Sequence, residues 1–294
     1  MRIARCRGDG RQCRNASHEE FGLLRSGLTH VRIRRDLGCH YVGDVTVKLH
    51  PIPERVVAAV CVFDSLTDAA QAVAAIKLAE IPITRCELLD ASSVQAFNAH
   101  ISSSKDGDNT STSSSTKKTK PMQVKPTLFL ESTTWRFQLC FLLGRTSALW
   151  SARHDLLNAT IAMRPDATSA FITDACVPLS HFAHLIAATA KDVEEKGIVG
   201  PCFGHAGDGN LHCILPLLED ESEEYLDKVH QVNENLIERT LQAGGTCTGE
   251  HGVGYGKIKY LERQYGPGAT IMMRMVKKGL DPHNIMNPGK VVLS

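Results

Sequence analysis

The sequence predicts an α+β domain: an antiparallel sheet carrying helices on one face, followed by a small C-terminal helical segment. Three observations predict it. Short β-branched runs alternate with helical apolar faces between residues 44 and 100. Two apolar strands within 198–217 are joined at Gly207-Asp-Gly209. Tyr225, Leu226, Val229, Val232, Leu236, Ile237 and Leu241 recur at helical spacing before the Gly244-Gly245 stop.

The elements follow in order. The first forty residues hold nine arginines, three cysteines and no lysine, with neither helical nor alternating apolar period. Residues 1–44 are therefore expected to be atypical and to carry no folded element. An Arg-rich, Ser-containing start has presequence character, against which Asp9, Glu19, Glu20 and Asp36 count. From Asp44 the pattern is regular, with strands at Val45–Leu49 and Val56–Phe63. Ser65-Leu-Thr-Asp68 is a capping-box-like start for a helix reaching Glu80, its apolar face built from Leu66, Ala69, Ala70, Val73, Ala74 and Ala75. A strand near Ile83–Leu89 and a helix near Ala91–His100 repeat that order.

Residues 102–120, SSSKDGDNTSTSSSTKKTK, offer nothing apolar to bury and are expected to form a disordered surface loop. Beyond it the pattern gives a strand at Lys125–Glu131, a helix at Leu149–Ala162 and a strand at Ala170–Val177. Helices are expected at Leu179–Glu195 and Glu223–Ala243, and short ones around Lys257–Tyr265 and Ile271–Leu280.

Composition bounds the function. Lys+Arg 33 against Asp+Glu 32 leaves a net charge of +1, so no overall field recruits nucleic acid. No apolar run reaches the eighteen or so residues of a membrane helix, so no transmembrane segment is expected. Ten cysteines without a CxxC pair argue against a disulfide framework and a four-thiolate zinc site. The function must reside in local chemistry.

That chemistry is concentrated in GHAGDGNLH, residues 204–212, and GGTCTGEHGVGYGK, residues 244–257. A hairpin turning at Asp208-Gly209 brings His205 and His212 near the foot of its arms, where cross-strand Cβ atoms lie roughly 5 Å apart. Two imidazoles there are either a solvated pair or part of a metal site, and a third ligand is needed to decide. Glu250 could complete a His-His-Glu set, with His251 facing a substrate as a base; the alternative is a glycine-rich connection with solvated side chains. Cys202, Cys213 and Cys247 read as small buried thiols rather than soft-metal ligands. Arg153, in Trp150-Ser-Ala-Arg-His154, could grip a carboxylate through two hydrogen bonds, or be an ordinary helical arginine. Asn287-Pro-Gly-Lys290 is a turn that could aim Asn287 and Lys290 inward. Ile214, two residues after His212, suggests an apolar wall for a small or aliphatic substituent.

Taken together, GHAGDGNLH, TGEHGVGYGK, LWSARHDLL, TDACVPLS and LDPHNIMNPGKVV resemble the C-terminal half of flavin-linked D-2-hydroxyacid dehydrogenases, the mitochondrial D-lactate dehydrogenases (cytochrome) among them. The likeness runs from about Val45 to the C-terminus. It implies a substrate domain at 45–294, FAD as cofactor, and a divalent metal, zinc or manganese, on His205, His212 and Glu250. It also implies His251 as general base, Arg153 on the substrate carboxylate, and Asn287 and Lys290 toward the cofactor. The implied reaction is oxidation of D-lactate or a related D-2-hydroxy acid, with an electron acceptor such as cytochrome c and a mitochondrial location. The sequence departs from the family before residue 45, where a flavin-binding domain is expected and residues 1–44 would be its remnant. It departs again after Glu131, where STTWRFQLCFLLGRTSA replaces a histidine-glycine pair and a helix. A zinc hydrolase using the same triad, or a non-catalytic metal-binding remnant, are the competing readings.

Overall fold

A computed structural model describes residues 56–103, 121–132, 150, 153 and 155–292, together with the backbone of four short N-terminal strands. Those strands are β1 (Ile3–Arg5), β2 (Arg14–Ala16), β3 (Leu28–Arg32) and β4 (Asp44–Lys48), paired β1 with β2 and β3 with β4. Most of the expected 102–120 loop, and the STTWRFQLCFLLGRTSA departure beyond Ser132, lie outside the described residues. The chain divides into two compact units. Residues 55–252 form one, and residues 1–54 with 253–294 form the other.

The larger unit is built on one antiparallel sheet. Its strands are β5 (Val57–Val62), β6 (Arg85–Leu89), β7 (Thr127–Ser132), β8 (Ser169–Ile172), β9 (Ala175–Cys176), β10 (Cys202–His205) and β11 (Asn210–Leu217). They run in the order β5-β7-β6-β10-β11-β8, with β9 also on β11. Helices α1 (Leu66–Leu78), α2 (Ala91–Ser103), α3 (Leu156–Ile161), α4 (Leu179–Lys196) and α5 (Glu223–Gln242) complete it. The α+β class is as the sequence predicts, but helices cover both faces of the sheet rather than the one face expected, because alternate strand residues are apolar on both sides. Ser65 caps α1 by accepting the Asp68 N–H at 3.0 Å, as the capping pattern requires, whereas α2 runs through Ser102 and Ser103 into the stretch read as loop.

Strand alternation decides which side chains meet. Leu89, Phe129, Phe203 and Ile214 share one face and pack with Val94, Ala96 and Phe97 of α2, with Trp150, and with Leu156 and Ala159 of α3. Their opposite-facing neighbours, such as Leu88, Leu128, Cys213 and Leu215, lie under the helical layer in which α4 packs against both α1 and α5. Cys202, Cys213 and Cys247 are buried thiols outside any disulfide, as expected. In the smaller unit α6 (Ile258–Tyr265) packs against α7 (Pro267–Leu280), which starts on a proline. No helix among the described residues is long and apolar enough to cross a membrane.

One buried carboxyl ties α2 to the sheet. Asp90 accepts the Ser93 N–H at 2.6 Å and the Cys202 N–H at 2.9 Å, and burial pushes its pKa up to about 6 although those hydrogen bonds pull it down. Because the folded pKa exceeds the unfolded one, the folded state takes up a proton between about pH 4 and pH 6. Ionisation of Asp90 therefore costs stability as pH rises through 6, by about 3 kcal/mol in all. Urea titrations at pH 5 and pH 7 are expected to show a smaller loss on raising the pH in Asp90→Asn than in the wild type. Identical pH slopes would remove this role.

Candidate metal centre

The hairpin forms where the sequence places it. Residues Ala206–Asp208 make a single 3-10 turn between β10 and β11. Gly209 follows at φ 76°, and a Cβ there would lie 2.1 Å from the Val177 carbonyl oxygen, so only glycine fits. The register differs from a simple facing pair: Phe203 stands opposite His212, and Glu87 of β6 stands opposite His205. The two histidines are same-face diagonal neighbours, their ring centroids 5.8 Å apart and their planes near perpendicular.

Glu250 joins them. Its Oε1 lies 3.1 Å from His212 Nε2 and 3.5 Å from His205 Nε2, so three donor atoms converge from a hairpin and a loop 38 residues beyond His212. His251 stacks on His212 with centroids 5.2 Å apart and an interplanar angle of 16°; its Nε2 is 3.7 Å from the same carboxylate oxygen.

Each imidazole is held from behind. His212 Nδ1 is 3.0 Å from the Thr173 carbonyl and must donate to it, which leaves the Nε2 lone pair facing Glu250. Burial also lowers the His212 pKa, favouring the neutral ring that a metal would require. His205 Nδ1 is 2.5 Å from Glu87 Oε1, a hydrogen bond that raises its pKa against the effect of burial. Its Nε2 likewise points to the centre.

The Thr173 carbonyl explains why the strand expected at Ala170–Val177 splits into β8 and β9. Register is kept across the break, with Ile172 opposite Ile214 and Ala175 opposite Leu211. Thr173 N–H still donates to the Cys213 carbonyl at 3.1 Å, but the return bond is replaced: Cys213 N–H donates to Thr173 Oγ1 at 2.8 Å. That hydroxyl frees the Thr173 carbonyl for His212. Thr173→Val keeps the shape and removes this acceptor, leaving either the Cys213 N–H or His212 Nδ1 unsatisfied. We expect a loss of about 1–3 kcal/mol in a thermal melt, with zinc affinity falling about 10–100-fold in a calorimetric titration. A variant with wild-type affinity for zinc would contradict the role.

The loop carrying Glu250 and His251 is fastened by Asp174, which is 1% exposed. Its carboxylate accepts the Glu250 N–H at 3.1 Å, the His251 N–H at 3.0 Å and the Thr248 hydroxyl at 2.9 Å. The loop must come close to do so. A Cβ on Gly249 would lie 2.5 Å from Asn210 Oδ1 and 2.9 Å from Asp174 Oδ1. Asp174, His212 and His251 also offer ligand atoms within 4.8 Å of one another, but the Asp174 oxygens already accept the loop's donors, so the His205-His212-Glu250 set is the better cation site. Asn210 Oδ1 is buried beside it without a hydrogen-bond partner. The donor set, two imidazole nitrogens and one carboxylate, suits zinc or another divalent ion with an open position.

Arg153 lies close to this centre through Glu87. Its Nε is 2.9 Å from Glu87 Oε2, and its guanidinium carbon sits 4.5 Å from the Phe203 ring centroid. Ile214, 2% exposed, belongs to the core on the same face. Asn287 and Lys290 fall in the other unit. Asn287 adopts φ 49°, the Lys290 N–H donates to its carbonyl at 3.3 Å, and Lys290 Nζ lies over the Tyr255 ring. The structure thus brings together His205, His212, Glu250, His251 and Arg153. Sequence reasoning missed Glu87, Thr173 and Asp174, although Thr173 and Asp174 are the first two residues of the TDACVPLS motif.

The chain belongs to the FAD-linked oxidases: the family described as "FAD linked oxidases, C-terminal domain" matches residues 52–291. Among curated relatives it is 38% identical over 286 residues to "Probable D-lactate dehydrogenase, mitochondrial" of Danio rerio, which covers 90% of this chain and 54% of the relative. It is 33% identical over 291 residues to "D-lactate dehydrogenase [cytochrome], mitochondrial" of Arabidopsis thaliana, covering 97% of this chain and 50% of the relative. The chain therefore spans about half the length of these relatives. Among solved structures, 4-ethylphenol oxidase from Gulosibacter chungangensis matches with a TM-score of 0.58 at 15% identity, over 86% of this chain and 56% of that one. At that identity the likeness speaks for the fold alone.

Proposed function

We propose that this chain is the substrate-binding part of a flavin-dependent dehydrogenase that oxidises D-lactate or a related D-2-hydroxy acid to the 2-oxo acid. The observation that carries the reading is the convergence of His205 Nε2, His212 Nε2 and Glu250 Oε1 beside His251. These three residues would hold the divalent ion, zinc or manganese, which when bound polarises the substrate hydroxyl and eases its ionisation. FAD would supply the hydride acceptor. His251, half exposed and stacked on His212, takes the hydroxyl proton. Arg153 receives the substrate carboxylate and orients C2. Asn287 and Lys290 are assigned to the cofactor. Transfer onward to a carrier such as cytochrome c, and a mitochondrial location, are part of the same proposal and are supported by the names of the relatives.

Dye reduction by D-lactate tests it, using this chain joined to the part of the Danio rerio relative that it does not cover. The expected result is a D-lactate-dependent rate that a chelator abolishes and zinc or manganese restores. A rate indifferent to chelation would refute the metal's part, and hydrolytic turnover without dye reduction would favour a zinc hydrolase.

A further inference from the structure

We propose that Glu87 is a positioning residue that sets the metal ligand His205 and the carboxylate-binding Arg153 together, so that the two subsites share one buried anchor. The inference rests on the function proposed above and deepens it.

Glu87 is 7% exposed, and a carboxylate so buried is costly unless each oxygen finds a donor. Here each does. Oε1 meets His205 Nδ1 at 2.5 Å, and Oε2 meets Arg153 Nε at 2.9 Å. Strand register makes this reproducible, because Glu87 on β6 is the direct partner of His205 on β10. An ionised carboxylate only accepts, so the proton of His205 must sit on Nδ1 and Nε2 is presented toward Glu250. The same group fixes the guanidinium. Its Nε edge is occupied and its plane rests near Phe203, while among the described residues no second acidic side chain pairs with it. The terminal fork of Arg153 is thereby left for an incoming carboxylate. A glutamine cannot serve both clients, since its amide nitrogen would face one of two donors.

The test is a pair of calorimetric titrations on the full chain: zinc alone, then D-lactate into zinc-saturated protein. In the wild type both bind. His212→Ala loses zinc, and Arg153→Ala weakens D-lactate while keeping zinc. Glu87→Gln is expected to weaken zinc about 10–100-fold and D-lactate about tenfold. If Glu87→Gln leaves either affinity unchanged, the shared anchor is refuted. A wild type that binds no zinc would instead overturn the underlying reading. Histidine 15N spectra separate positioning from bulk stability: His205 is expected as the Nδ1–H form in zinc-loaded wild type, with that preference lost in Glu87→Gln. Should Glu87→Gln fail to fold, an Nε2–H tautomer of His205 in the zinc-free wild type would by itself overturn the proposal.

Discussion

Glu250→Ala is expected to abolish tight divalent-metal binding while leaving the fold intact. The Glu250 side chain is 48% exposed and lies on a loop, so its removal empties no core. Its carboxylate is the only acidic member of the His205-His212-Glu250 set and the one closest to both Nε2 atoms. Structural zinc sites with four ligands are worth about 10–16 kcal/mol, so one ligand accounts for roughly 3 kcal/mol. That corresponds to a loss of affinity of about a hundredfold or more. The zinc titration should move from tight to barely detectable, and the melting temperature of the metal-free protein should stay where it is. Equal zinc affinity in wild type and variant would mean that the ion, if any, sits elsewhere.

Asp174→Ala should act through a different route, with the larger cost to stability. Three donors of the 248–251 loop end on this buried carboxylate, two of them backbone N–H groups. Hydrogen bonds to a charged acceptor contribute about 1.5–3 kcal/mol each and do not add simply, so a total of about 3–5 kcal/mol is expected. At roughly 2–4 °C per kcal/mol for a unit of this size, the melting temperature should fall by about 10 °C. Zinc affinity should fall as well, because Glu250 and His251 lose the tether that brings them to the hairpin. Asp174→Asn is expected to recover little, since one oxygen becomes a donor facing other donors. A variant with wild-type zinc affinity and an unchanged melt would remove Asp174 from the account.

Much of this architecture is legible in the sequence because its signals are local. Ser65 with Asp68 announces α1, the apolar spacing from Tyr225 to Leu241 announces α5, and Asp208-Gly209 announces the hairpin. His205, His212 and Glu250 are legible for a related reason: turn chemistry places the first two, and the motif resemblance supplies the third. Residues that work by long-range contact are not. Glu87 reads as one acidic residue in a strand, and only the pairing of β6 with β10 puts it opposite His205. Thr173 reads as a β-branched strand residue, and its hydroxyl shows its purpose only once the Cys213 N–H is seen to need a substitute acceptor. Asp174 is invisible as a tether until the loop 74 residues away in sequence folds onto it. The helical cover of α2 and α3 over the site-bearing face is also a matter of tertiary packing, since periodicity names an apolar stripe and not the surface it meets.

Two imidazoles and one carboxylate are proposed to hold a single divalent ion, and zinc-loaded crystals can show whether they do. An anomalous difference map is expected to give one strong peak about 2.0–2.2 Å from His205 Nε2, His212 Nε2 and a Glu250 carboxylate oxygen. At saturating zinc, a peak on other residues with this triad empty would rule the assignment out.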